Sequence, residues 1–166
     1  VTLQLPNRIE FPVVFFALEL IGAVANKISV DFRAVEVEYI LRFSNSKAYV
    51  SAAEFKGFDF LAMIESIRPR LPGLSLVVCV DDVERAGVTS FAKEVNATPE
   101  IAAADRVRMS ALEVMRMCFT SGTTGNPKGV LHCFNTTLWA AQLFNEQLGV
   151  TENEVMLGFL PVGLNW

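Results

Sequence analysis

Histidine is almost missing from this chain, at one residue in 166, which excludes a histidine-rich metal centre. Cysteine is scarce as well. Cys79, Cys118 and Cys133 are odd in number, lack metal-ligand spacing and lie in apolar surroundings, so they read as reduced thiols. Charged residues make up only 19% of the sequence against 52% hydrophobic, and the mean hydropathy of +0.38 is high for a free-standing domain of ordinary composition. Such a balance suggests the interior of something larger. The net charge of −4 leaves no basic footprint, so polymeric nucleic acid is not an expected partner. A membrane span is not expected either. Phe11 to Ala25 is nearly all apolar, but Glu19 interrupts it and it falls short of the ~20 residues a bilayer requires. It also lacks the basic leader of a secretory signal, so a cytoplasmic location is expected.

At 166 residues the chain is one domain's worth. Val1 to Leu5 alternates with period two and stops at Pro6-Asn7, predicting a half-buried strand. With no initiator methionine, that strand is expected to begin partway into a longer protein. Phe11 to Ala25, with Pro12 in the first turn, reads as a buried helix. Lys27 to Val30 suggests a short strand, with Asp31 placed to cap the next helix, where Val35, Tyr39 and Phe43 recur at four-residue spacing up to Ser44-Asn45-Ser46. Lys47 to Ser51 follows as a strand. Asp59 to Arg68 predicts a helix with Phe60, Ile64 and Ile67 inward, and Leu74 to Val80 a strand covered on both faces. Asp81, Asp82 and Glu84 read as a polar cap at a strand end, and the stretch to Ala104 receives no function. Val114 to Phe119 is another strand. Asn135 or Thr136 is placed to cap a helix with the stripe Trp139, Ala140, Leu143, Phe144 and Leu148, ended by Gly149, in which Trp139 and Phe144 read as core. Val155 to Leu160 reads as a final buried strand, stopped by Pro161. Strands alternating with helices argue for an α/β fold with a doubly wound, mostly parallel sheet and flanking helices.

One stretch concentrates polar chemistry, Thr120-Ser-Gly-Thr-Thr-Gly-Asn-Pro-Lys128-Gly-Val130. It reads as a phosphate cradle. Gly122, Gly125 and Gly129 permit the positive φ angles that turn backbone N–H groups inward, and lacking Cβ they let a polyphosphate approach the main chain. Thr120, Ser121, Thr123 and Thr124 add hydroxyl donors, and Lys128 adds a mobile positive charge. The Walker A pattern needs G-x-x-x-x-G-K-[ST] opening a helix, and this spacing does not meet it. Because Val130 to Phe134 looks extended, the loop is expected to join two strands at the carboxyl edge where open α/β sheets place ligands.

From Phe119 to Val130 the sequence resembles the phosphate loop of the adenylate-forming, or AMP-binding, superfamily, which includes acyl-CoA synthetases, luciferases and peptide-synthetase adenylation domains. Leu3-Gln-Leu-Pro-Asn7, Ala17 to Ala23 and Ala34 to Val50 are similar, in order, to the opening of an acyl-CoA synthetase's large amino-terminal domain. Phe159 to Trp166 resembles the start of the next motif, which lines the acyl pocket. Leu164 and Phe134 stand where the family often has histidine, which suits an apolar acid, alicyclic or medium-chain.

The resemblance implies attack by a carboxylate on the α-phosphorus of MgATP, giving an acyl-adenylate and pyrophosphate, after which coenzyme A displaces AMP. Lys128, the four hydroxyls and the glycine amides would hold the leaving pyrophosphate. Trp166 would touch the acyl group. His132 lies close enough to approach the nucleotide but reads better as a structural histidine. The adenine and ribose contacts, the acidic magnesium ligand and the adenylation lysine of the family have no counterpart before Trp166. Residues 1–166 are therefore expected to be a partial AMP-binding domain, truncated at its carboxyl end. A non-catalytic nucleotide-binding module, a peptide-synthetase adenylation domain and an unrelated nucleotide hydrolase remain as alternatives.

Overall fold

The computed structural model describes residues 1–100, 102, 106–120, 127–155 and 157–163. In chain order the elements are β1 (Thr2–Gln4), α1 (Glu10–Leu20), β2 (Ala25–Lys27), α2 (Ala34–Phe43), β3 (Ala48–Ser51), β4 (Glu54–Phe55), β5 (Phe58–Asp59) and α3 (Phe60–Ile67). After a 3-10 turn at Arg68–Arg70 come β6 (Leu76–Cys79), β7 (Thr89–Ser90), α4 (Phe91–Ala97), β8 (Val114–Phe119), β9 (Gly129–Cys133) and α5 (Phe134–Leu148). Seven strands form one sheet in the order β7-β6-β3-β1-β2-β8-β9, while β4 and β5 make a separate hairpin. Every neighbouring pair in the large sheet is parallel except β8 and β9, which are antiparallel.

The connections explain the two cores. From β1 the chain crosses by α1 to β2 on one side, then returns by α2 to β3 on the other, so right-handed crossovers place α1 and α2 on opposite faces. On one face α2 and α3 bury Val37, Ile40, Leu41, Phe60, Ile64 and Ile67 against Ile28, Tyr49, Val77 and Phe119. On the other, α1 buries Phe11, Val14 and Leu18 against Leu3, Ala25 and Val50. The doubly wound, mostly parallel sheet expected from the alternation is thus present. Its direction of winding reverses between β1 and β3, the switch point at which such sheets open a crevice.

Several expectations need correction. β1 is not half-buried, because it is an inner strand with Thr2, Leu3 and Gln4 all fully covered. Gln4 is affordable there only because it is satisfied. Its Nε2 donates to the carbonyls of Ser29 (2.8 Å) and Phe32 (3.0 Å), and the Tyr49 hydroxyl donates to its Oε1 (2.5 Å). Burial holds the Tyr49 phenol well above its usual range, so it remains a donor. Helix α1 stops at Leu20 rather than Ala25. Gly22, at φ +70°, lets Ala23 N–H reach back to the Leu18 carbonyl at 2.8 Å and closes the helix. Nor is α1 buried all round, since Val13 and Phe16 are exposed. β2 begins at Ala25, earlier than the Lys27–Val30 strand expected.

Asp31 does not cap α2. The chain stays non-helical to Arg33, and Glu36 reaches back to accept from Arg33 N–H at 3.1 Å. The buried stripe of α2 is Val37, Ile40 and Leu41, whereas Val35 is 79% exposed. Helix α3 matches its expected inward face, and the Asp59 carboxylate accepts from Ala62 N–H at 2.8 Å as its cap. β6 is covered less evenly than expected, with Leu76 exposed near the sheet's edge. Neither Asn135 nor Thr136 is the N-cap of α5, which is Cys133, with Thr136 Oγ1 donating to its carbonyl at 3.0 Å. Helix α5 buries no residue, so Trp139 and Phe144 are surface rather than core. The described residues of Val155 to Leu160 form no strand and lie exposed, because no neighbouring strand offers them a ladder. Among the described residues, no helix is long and apolar enough to cross a membrane.

Candidate active site

The polar stretch emerges from β8 and re-enters the sheet as β9. Phe119 pairs with Gly129, Cys118 with Val130 and Met117 with Leu131, so the intervening loop is the tip of an antiparallel hairpin. Its neck is closed by two hydrogen bonds. Thr120 N–H donates to the Lys128 carbonyl at 3.0 Å, and Lys128 N–H donates to Thr120 Oγ1 at 3.1 Å. The Thr120 hydroxyl therefore accepts from the chain while keeping its own proton to donate. Lys128 is exposed, and β9 rather than a helix begins after it, which removes the Walker A geometry. Ser121, Gly122, Thr123, Thr124, Gly125 and, at the far end of the chain, Trp166 and Leu164 lie outside the described residues.

Gly129 departs from its expected role. It sits in β9 without a positive φ, and a Cβ there would come within 3.2 Å of Met117 Sδ and 3.3 Å of the Phe43 ring. Its bareness thus serves packing. Phe43, from the last turn of α2, lies edge-on to Phe119 with ring centroids 5.8 Å apart. This aromatic contact braces the hairpin's base against the packed half of the molecule. Sequence reasoning assigned Phe43 to the helix's own stripe; only the sheet order brings α2 beside β8.

His132 is opposite Arg116 in the β8–β9 ladder. Burial first, and then the positive charges of Arg116 and Lys27, hold its imidazole below the usual range, so it is neutral near pH 7. That environment suits a structural histidine better than a cation for phosphate. Burial pushes up the thiols of Cys79 and Cys118, and all three cysteines are free.

At the switch point, a crevice of about 360 Å³ is lined by Leu5, Asn7, Val30, Phe55, Phe159 and Pro161 among others. It opens at the carboxyl ends of β1, β2 and β3, the same edge from which the loop leaves β8. On its rim Arg8 bridges Glu10 and Asp81. Burial pushes the Asp81 carboxyl up, but hydrogen bonds from Ala53 N–H and Arg8 outweigh it and hold the group below the ordinary carboxylate range. The polar cap expected at Asp81 is in fact a tie between three strand ends.

An open α/β sheet with a hydroxyl-, glycine- and lysine-bearing hairpin at its carboxyl edge belongs to the class of folds that gather ligands along that edge. The sequence profile of the AMP-binding enzymes matches residues 1–165, and the chain belongs to that family. It is 27% identical over 163 residues to a medium-chain fatty-acid–CoA ligase of Escherichia coli, covering 98% of this chain and 29% of that protein. A 4-coumarate–CoA ligase of Arabidopsis thaliana is 31% identical over 172 residues, covering 98% of this chain and 29% of the relative. Among solved structures, an anthranilate CoA ligase in complex with anthranoyl-AMP superposes with a TM-score of 0.77 at 29% identity, over 87% of this chain and 27% of that one. The apo structure of Mycobacterium smegmatis MbtA, at 24% identity and a TM-score of 0.86, covers 99% of this chain and 29% of its own and shares the fold. The chain thus spans about 30% of the length of the curated relatives it matches.

Proposed function

We propose that residues 1–166 are the phosphate-binding part of an AMP-forming acid–CoA ligase, within an AMP-binding domain that other segments complete. A carboxylate oxygen of an apolar acid attacks the α-phosphorus of ATP, releasing pyrophosphate and forming an acyl-adenylate. The thiol of coenzyme A then attacks the acyl carbon, and AMP leaves. Negative charge gathers on the departing pyrophosphate in the first step, so positioned donors and a cation lower its barrier. Lys128 supplies the cation, while Thr120, Ser121, Thr123, Thr124 and the amides of Gly122 and Gly125 supply donors. Magnesium enters with the nucleotide, since it commonly binds through substrate phosphates and a few carboxylates. That suits a chain whose described residues contain no cluster of three His, Cys, Asp or Glu able to hold a metal. Free, largely buried thiols are in keeping with a reducing, cytoplasmic setting.

The observation carrying this proposal is the hairpin neck, in which Thr120 and Lys128 hydrogen-bond to each other and present the intervening loop at the ligand edge. The names of the relatives, covering fatty acids and 4-coumarate, favour an apolar acid. The test uses the product of the complete coding sequence and pyrophosphate–ATP exchange with octanoate, cyclohexanecarboxylate and 4-coumarate. Exchange should require an acid, and Lys128→Ala should lower it roughly 10²-fold or more without altering the melting transition. Phosphate release without any acid would point to a hydrolase instead, and ATP binding without exchange to a non-catalytic module.

A further inference from the structure

Residues 160–163 are seated on the sheet by contacts that no strand pairing supplies. Asn7, just beyond β1, donates from Nδ2 to the Leu160 carbonyl at 2.9 Å and accepts from Val162 N–H on Oδ1, also at 2.9 Å. An amide side chain bonded in this way reproduces both halves of a backbone ladder partner. Lys27 Nζ donates to the Val162 carbonyl at 3.3 Å. Gly163 then lies so close to β2's exit that a Cβ would sit 2.7 Å from the Ile28 carbonyl oxygen, a backbone atom with little room to yield. Otherwise the neighbourhood is loose, since Val155 and Leu157 are 97% and 86% exposed. The seating is therefore specific to the residues that wall the switch-point crevice, where Phe159, Pro161 and Gly163 face Leu5, Val30 and Phe55.

We propose that Asn7 and Gly163 are positioning residues that fix Phe159–Gly163 as the wall against which the apolar group of the carboxylic acid lies. The proposal rests on the acid-activating function above. β1 and β8 are separated only by β2, so the crevice and the phosphate loop stand about 10 Å apart along one edge. A substrate whose tail occupies the crevice can point its carboxylate toward the loop. The crevice is chiefly apolar, which suits an alkyl, alicyclic or aryl tail and leaves the carboxylate to the polar side. Asn7 itself is committed to the backbone on both of its amide atoms, so it acts through the wall and not by touching the acid.

The experiment compares the full-length protein with Asn7→Ala, Asn7→Asp and Gly163→Ala, using ATP and octanoate or cyclohexanecarboxylate. In pyrophosphate exchange, Asn7→Ala and Gly163→Ala should each raise KM for the acid about tenfold or more while leaving KM for ATP within twofold. Asn7→Asp, which still accepts from Val162 N–H but cannot donate to Leu160, should fall between Asn7→Ala and the parent. Amide hydrogen exchange, which needs no turnover, should speed at Val162 in Asn7→Ala and stay unchanged in β1 and β3. An unaltered KM for the acid in an enzyme that exchanges normally would overturn the proposal, as would equal losses for acid and ATP. A parent protein that shows no acid-dependent exchange would instead overturn the functional assignment, and the Val162 exchange rate would still decide whether Asn7 seats the segment.

Discussion

Residues 1–90 and residues 106–163 use the same sheet and reach opposite states of cover. In the first region every crossover returns an apolar helix face to the sheet, so Leu3, Ile40 and Tyr49 are fully buried. In the second, β8 and β9 pair correctly and β8 joins β2, yet α5 buries nothing and Trp139 is 67% exposed. Backbone pairing alone can thus carry a strand into place without a core on both faces. The phosphate loop belongs to the poorly covered region, and its order is borrowed from the packed one through β2, β8 and the Phe43–Phe119 contact. That division places stability in one half and chemistry in the other, as is common for binding loops on a rigid scaffold.

The largest effect on stability should come from the buried amide that ties the packed region together. Gln4→Ala leaves the Tyr49 hydroxyl and the carbonyls of Ser29 and Phe32 without this partner, at a cost of about 4 kcal/mol. Urea unfolding should show that loss, and the cycle with Tyr49→Phe should be non-additive because the two share a hydrogen bond. An additive cycle would mean that the contact contributes nothing of its own. A smaller effect is expected at the switch point. Asp81→Asn removes the charge that pairs with Arg8, at about 1 kcal/mol at pH 7. Because the folded state holds the Asp81 carboxyl below its ordinary range, its contribution is complete above the unfolded carboxylate pKa. It is lost as pH falls through the lower, folded value. The gap between parent and variant in urea melts should therefore close on going from pH 6 to pH 3; a gap that widened would reverse the assigned sign.

What could be read from the sequence follows the same boundary. The alternation of strands and helices, the inward face of α3 and the strand–loop–strand setting of Thr120 to Lys128 were all legible, because local pattern and tertiary environment agree there. Val35 and Phe43 misled because α2 is apolar on more than one side, and only packing shows that Val37, Ile40 and Leu41 face the core. Val155 to Leu160 misled for a different reason. Hydrophobicity marks a segment that favours burial, but a strand also requires a neighbour, and the described residues provide only the Asn7 amide and Lys27. Of the site, Lys128 and Thr120 stand at the hairpin's neck as the loop pattern suggested. Asn7 could not be singled out, since its partners lie more than 150 positions away.

The smallest effect on stability should be found on α5, where the comparison is sharpest. Trp139→Ser and Leu143→Ser remove large side chains that are 67% and 39% exposed on a helix with no buried residue, so each should change the unfolding free energy of the 166-residue chain by less than about 0.5 kcal/mol. The same side chains, with Leu138, Phe144 and Leu148, nevertheless form an apolar surface on which copies of the isolated chain can associate. Sedimentation velocity of that chain should show self-association that weakens in the double variant while the urea midpoint barely moves. A drop in stability of 2 kcal/mol or more in either single variant would mean that α5 is packed in solution, and the contrast between the two regions would then disappear.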